Sequence, residues 1–152
     1  MPETKCGFND CATGTGRDLL VLHGPTLVVE IGFDPSYLPA PHARPNLSGT
    51  HHNALVDTGA TESCIDSGLA MQLNLPIVDR RRISGVGGVH DVNMHIAQIH
   101  IPTLSYTIYG MFAGVDLIAG GQPHYALIGR TFLKAFRMIY DGNTGTVILA
   151  TT

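Results

Sequence analysis

Ala54-Leu55-Val56-Asp57-Thr58-Gly59-Ala60-Thr61 is the stretch on which the reading of this chain turns. Apolar residues run into Asp-Thr-Gly and then a small residue, the pattern of a buried strand that ends in a tight turn with one carboxylate at its tip. Gly59 lets the backbone turn where a Cβ would clash, and Thr58 brings a hydroxyl able to hydrogen-bond across the site. A carboxylate is rarely buried without a partner, so a second group must face Asp57. The similar tripeptide Asp66-Ser67-Gly68 lies only nine positions later, too close to head a second lobe. It opens the helix-like run Leu69-Ala70-Met71-Gln72-Leu73, with Asp66 as a natural N-cap. The chain therefore carries one such loop.

Composition fits that economy. The 152 residues make one domain with mass enough for a proper core. The chain is 44% apolar and only 14% charged, with 18 glycines and 9 prolines, which favours a turn-rich all-β domain. A formal net charge of −3, with no basic stripe beyond Arg80-Arg81-Arg82, argues against nucleic-acid binding. No apolar run reaches the length of a membrane span, and Met1-Pro2-Glu3-Thr4-Lys5 lacks a secretory apolar region. Three cysteines without framework spacing fit a reducing cytoplasm, the expected location.

Residues 1–24 read as a partly irregular arm, with Leu19-Leu20-Val21-Leu22 as an added strand, ahead of a domain over 25–152. Cys6 and Cys11 in that arm raise a metal site as a weak alternative, and free thiols are the favoured reading. Pro25-Thr26-Leu27-Val28-Val29-Glu30-Ile31-Gly32-Phe33 is a strand. The connection 34–52 holds four prolines and Gly49, which excludes helix or central strand. Its His42, His51 and His52 read as solvated residues without metal. A short strand follows over 62–65, with Cys64 as a core residue, and Asn74-Leu75-Pro76 stops the helical run.

Ser84-Gly85-Val86-Gly87-Gly88 sets one apolar residue among glycines between strand-forming sequences, the composition of a mobile hairpin tip. A phosphate loop would open a helix, whereas Val92, Met94 and Ile96 alternate with period two. Alternation resumes out of phase at Ile99 and Ile101, which predicts a bulge near Ala97-Gln98 and outward, solvated positions for His95 and His100. Another strand covers Tyr106 to Phe112. Then Tyr125-Ala126-Leu127-Ile128-Gly129-Arg130 is an apolar strand that ends in glycine and leads into the amphipathic run Thr131 to Phe136. Arg137 to Tyr140, a turn at Asp141-Gly142-Asn143-Thr144-Gly145, and Thr146 to Ala150 form a closing hairpin.

The active-loop run, the glycine tip and Leu127-Ile128-Gly129-Arg130, in this order, resemble the retropepsin family of single-domain, dimeric aspartic proteases. The resemblance covers roughly 25–152, and the closing hairpin looks more like the cellular and bacterial branch than the retroviral one. It implies an all-β, single-lobe acid-protease fold: a closed β-barrel with one or two short helices and a flap hairpin. It implies a homodimeric aspartic endopeptidase acting on peptide or protein substrates, without cofactor, metal or membrane. The catalytic residues are then Asp57, Thr58 and Gly59. Substrate would meet Ala60, Ser84, Gly85, Val86, Gly87, Gly88 and Ile128, while Gly129 and Arg130 support the site. Two carboxylates about 3 Å apart cannot both ionise, so the pair would share one proton and activate water. The terminal strands around 147–152 would help join the protomers. The alternative is a dimerisation or peptide-binding module that keeps the fold and cleaves little. The sequence departs from the retroviral pattern in two places. Thr61 replaces the usual acidic residue, which leaves Arg130 to pair with Glu62 or a substrate group, and the loop before the active strand is much longer.

Overall fold

A sheet escapes the hazard of open edges by closing on itself, and the apolar strands of this chain do so. The computed structural model describes residues 2–41, 43–85 and 87–152. Met1, His42 and Val86, all named above, lie outside the described residues. The elements are β1 (Glu3–Lys5), α1 (Gly16–His23), β2 (Thr26–Gly32), β3 (His51–Val56), β4 (Cys64–Asp66), α2 (Ser67–Gln72), β5 (Ile77–Gly85) and β6 (Gly88–Ile101). They are followed by β7 (Tyr106–Val115), β8 (Ala126–Ile128), α3 (Arg130–Leu133), β9 (Phe136–Asp141) and β10 (Thr146–Thr151). The large sheet runs β2-β3-β8-β4-β7-β6-β5, and β2 also pairs with β6 through Ile31 and Ile99, which closes six strands into a ring. Strand β5 hangs outside the ring as one arm of the β5–β6 hairpin. The β-branched residues Val29, Ile31, Ile65, Ile99, Ile101 and Ile128 fill the interior. No helix among the described residues is long and apolar enough to cross a membrane.

Leu19-Leu20-Val21-Leu22 belongs to a helix, which corrects the strand expected there. Thr15 caps α1 by accepting a hydrogen bond from the Asp18 amide, and the helix ends at Gly24, whose φ is +69°. A four-residue apolar run is too short to separate the two periods, and leucine favours helix over strand. Leu20 is buried while Val21 and Leu22 face outward. The arm is stitched to the rest by its backbone. Strand β1 pairs with β10, the amides of Cys6 and Phe8 bond Val147 and Gly145 carbonyls, and the Thr26 amide bonds Cys6. Cys6 is buried, whereas Cys11 is exposed and bonds Thr13. The small sheet β1-β10-β9 makes β10 its central strand, with Val147 and Leu149 fully buried.

His95 and His100 are buried, at 1% and 3% exposure, and this overturns their reading as solvated positions. No bulge interrupts β6 near Ala97-Gln98. Its register with β7 is unbroken from Met94 to Ile101, and the irregularity falls in β5, between Ile77 and Asp79. The shift in alternation has another cause, since both faces of β6 are covered here. Ala97, Ile99 and Ile101 face the interior, while the long loop lies over the outer face. Asp34 exchanges backbone hydrogen bonds with the Gln98 side chain, and its own carboxylate holds the Ser36 and Asn46 amides. Arg44 reaches back 2.7 Å to Glu30, a buried carboxylate aligned with His100 across the β2–β6 pairing. His100 bonds Thr107 through Nδ1, and His95 Nδ1 donates to the Leu75 carbonyl.

Two outcomes follow from this packing. Leu20→Ala should cost about 2–5 kcal/mol in urea unfolding, because the arm helix contributes to the core. Burial, with Arg44 adding to it, lowers the pKa of His100, and burial with a smaller effect of His23 lowers that of His124. The unfolded chain therefore takes up protons that the native state excludes once the pH falls below the ordinary histidine value of 6.5. Their stabilisation is fully present above that value and lost below it. The urea midpoint should drop between pH 7.5 and 5.5, and His100→Gln should flatten the dependence.

Candidate active site

The end of β3 fixes the carboxylate. Ala54 and Val56 point into the core, so alternation sends Leu55 and then Asp57 to the opposite face. Strand β8 runs parallel to β3, with Leu55 beside Leu127 and Val56 beside Ile128. The Asp57 amide carries the ladder one step further by bonding the Ile128 carbonyl at 2.9 Å. The chain then turns tightly. Asp57 Oδ1 accepts from the Gly59 amide at 2.9 Å, and the Ala60 amide bonds the Asp57 carbonyl at 3.3 Å. A Cβ on Gly59 would sit 3.1 Å from that carboxylate oxygen, so glycine leaves it room. Asp57 and Ala60 are half-buried, and Thr58 and Gly59 are exposed.

Gly129 and Arg130 brace this loop from behind. A Cβ on Gly129 would meet the Glu62 carbonyl oxygen at 2.5 Å and that of Ala60 at 3.0 Å, a gap only glycine fits. The Gly129 amide bonds Ser63 Oγ, and the Arg130 and Thr131 amides bond the Ala60 and Thr61 carbonyls. The Arg130 guanidinium donates to the Thr58 carbonyl at 2.7 Å and to Thr61 Oγ1 at 3.0 Å. This corrects the expected pairing with Glu62. The hydroxyl that replaces an acidic residue at position 61 is itself the partner. None of the three ion pairs among the described residues involves Arg130.

Ile128 is fully buried and cannot line a substrate surface, a second correction. Its neighbour Leu127 alternates to the half-buried face shared with Leu55 and Asp57. Ser63, Leu55 and Leu127 are the site residues missed in the sequence, although period two applied from Val56 outward finds the two leucines. Cys64, bonded to the Leu127 backbone, has its thiol pushed up to about 11, chiefly by burial and further by the Asp57 charge. It stays a protonated core residue beside the site.

Asp66 is structural. Its carboxylate caps α2 at the Leu69 amide and also accepts from the Leu117 and Ile118 amides, so it is buried and satisfied. Ser84, Gly85, Gly87 and Gly88 form the exposed end of the β5–β6 hairpin, where Gly85 faces Gly88 and Gly88 takes a φ of +101°. Among the described residues no hydrogen bond joins this tip to the Asp57 loop. A cavity of about 420 Å³ lies against the hairpin, walled by Ile83, His90, His95, Ser67 and Asp116, and Asp57 is not on its wall.

A closed all-β ring with a carboxylate loop, a bracing Gly-Arg turn and a projecting hairpin is the acid-protease fold. Residues 44–135, more than half the chain, match the family described as gag-polyprotein putative aspartyl protease, and the chain belongs to that family of retropepsin-like aspartic proteases. It is similar to the solution structure of the simian foamy virus (mac) protease, with 14% identity over 72% of this chain and 91% of that one, and a TM-score of 0.46. It is similar also to the EIAV protease complexed with the inhibitor HBY-793, with 21% identity over 72% and 85% of the two chains and a TM-score of 0.46. No curated protein sequence matches the chain.

The guanidinium clamp carries its own test. Arg130→Ala should lower stability by about 1 kcal/mol, the net worth of such hydrogen bonds. It should also speed hydrogen exchange at the Gly59 and Ala60 amides more than at the Ile99 amide of the ring. Equal protection of the loop in both proteins would show that the clamp is idle.

Proposed function

We propose that two copies of this chain assemble about a twofold axis and hydrolyse peptide bonds with their paired Asp57 carboxylates. One observation carries this reading. Each chain presents Asp57 at the strand end of a braced, outward-facing loop whose Thr58 and Gly59 are exposed, as half of a symmetric site would be. Opposed carboxylates share one proton. The ionised member takes a proton from water as that water attacks the scissile carbonyl. The protonated member hydrogen-bonds the carbonyl oxygen and later helps to protonate the leaving amine.

Thr58 hydroxyls link the loops across the axis, and Gly59 and Ala60 keep the floor low enough for a substrate backbone. The half-buried Leu55 and Leu127 give that floor an apolar surface beside Asp57. The Ser84–Gly88 tip folds over an extended peptide, pairs with it as an added strand and keeps bulk water out. In the small sheet β10 already has neighbours on both edges, so the free edges are those of β1 and β9. Strand β9 exposes Ile139 and Tyr140, each by 52%, and we assign the contact between terminal sheets to that strand in place of 147–152.

Asp57→Asn, compared with wild type on an unbiased peptide mixture between pH 4 and 7 at a dimer concentration shown by ultracentrifugation, should lose roughly 10²- to 10⁴-fold in cleavage. If both dimers are silent yet bind peptide, the chain is a peptide-binding module. Equal cleavage by both would place the chemistry elsewhere.

A further inference from the structure

A cavity of about 470 Å³ lies where the arm, β2, β3 and the segment before β8 meet, lined by Lys5, Phe8, His23, Thr26, Asn53 and His124 among others. The hydrogen bonds fix the state of its buried histidine. Thr26 Oγ1 donates to the Gly24 carbonyl at 2.9 Å, so toward His124 the hydroxyl can only accept, and His124 Nε2 donates to it at 3.2 Å. Nδ1 then bears a lone pair, and it is buried without a hydrogen-bond partner among the described residues. His124 is 4% exposed and lines the cavity as a residue, while Nδ1 itself lies just behind that wall. Buried polar atoms without partners are rare, and each one needs an explanation.

The character of the lining supplies one. Lys5 from β1, His23 from α1 and His124 are the titratable groups on the wall, and no carboxylate is among its described residues. That stands out in a chain of formal net charge −3. The ring of Phe8 packs against His23, centroids 5.6 Å apart, and gives the basic wall an apolar side. The location ties the cavity to the carboxylate loop. Asn53 and Asp57 lie on one face of β3, four residues and about 13 Å apart, and Thr26 pairs with Leu55 on that face.

We propose that this cavity is a distal subsite that takes the carboxylate side chain of a glutamate or aspartate in the substrate, about three or four residues from the scissile bond. The proposal rests on the endopeptidase reading above. An extended peptide advances about 3.3 Å per residue, which matches the separation from Asp57. Lys5 and His23 meet the anion, and its field favours a proton on the His124 ring behind them.

The test uses the full-length dimer and a peptide that it cleaves, remade with Glu or Gln at each position from two to five residues on either side of the cut. At one position Glu should exceed Gln in kcat/KM by about fivefold to tenfold, mainly through KM, the scale of a charge-assisted contact. The ratio should fall below about twofold in Lys5→Gln and in His23→Gln. It should keep its wild-type value in Arg17→Gln, which removes a charge from α1 outside the cavity. It should also grow from pH 7.5 to 5.5. Ratios near one at every position, or a preference that survives both cavity variants, would overturn the subsite. Binding of the same peptides to Asp57→Asn, read by fluorescence anisotropy, separates the two readings. Tighter binding of Glu peptides without wild-type cleavage would sink the hydrolase and keep the subsite. N-acetylglutamate should compete only weakly. Saturation at the peptide's own concentration would mean a site for a free acid and would overturn the proposal.

Discussion

Parallel pairing of β3 with β8 is the constraint from which the site follows. These strands are remote in sequence, and β8 enters the sheet between β3 and β4, which the active loop connects. That insertion places Gly129 under the loop, where a missing Cβ lets two carbonyls approach. It also places Arg130 where its guanidinium reaches the Thr58 carbonyl. A turn with exposed residues would ordinarily sample many conformations at a cost of about 1–2 kcal/mol per residue to fix. Here amide bonds from Asp57, Gly129, Arg130 and Thr131 hold it on three sides. The position of one carboxylate is thereby set by strands that the core itself requires.

The outer surface of the ring obeys a second constraint. A barrel strand shows one face to the core, and the other is free to be polar only if water or a partner satisfies it. Glu30, Gln98 and His100 are polar and buried on that outer face. The long proline-rich loop satisfies Gln98 through Asp34 and Glu30 through Arg44, while His100 bonds Thr107 of the neighbouring strand. Its length serves burial: it reaches two strands of the ring and supplies a backbone amide and carbonyl at Gln98 and a guanidinium at Glu30. The prolines keep it out of the ladder while the Asp34 carboxylate fixes its bend at Ser36 and Asn46.

Most of the fold was legible because its signals are local. The run into Asp57, the glycine tip, the strand into Gly129 and the closing hairpin each read correctly from pattern and turn chemistry. Apart from the arm helix, whose signals are its own caps, the misreadings share a cause: each concerns a residue whose state depends on a distant segment. His95 and His100 look solvated until Leu75 and the loop are placed over them. Leu19 to Leu22 carries no period until Thr15 and Gly24 are recognised as caps. Ile128 reads as a contact residue because the run 125–128 is apolar on both faces, and only its register with Val56 tells inward from outward. Glu62 or a substrate group is the partner expected for Arg130 because Glu62 follows Thr61, whereas the geometry of its fork selects a carbonyl and a hydroxyl.

That last substitution alters the character of the site. A guanidinium paired with a carboxylate forms a neutral unit; one held by a carbonyl and a hydroxyl keeps its positive charge. Thr61 thus preserves the mechanical role of the clamp, with two donors engaged at 2.7 and 3.0 Å, while it removes an anion from the neighbourhood of Asp57. In a symmetric assembly the change counts twice, since each loop meets its mate across the axis. Two like-charged carboxylates brought together repel, and every further anion nearby adds to that cost. In the assembly proposed above, a loop clamped through neutral acceptors would bring its Asp57 to a second copy with Glu62 as the one other carboxylate on the loop. The hydroxyl at position 61 would therefore ease the apposition that the proposed dimer needs.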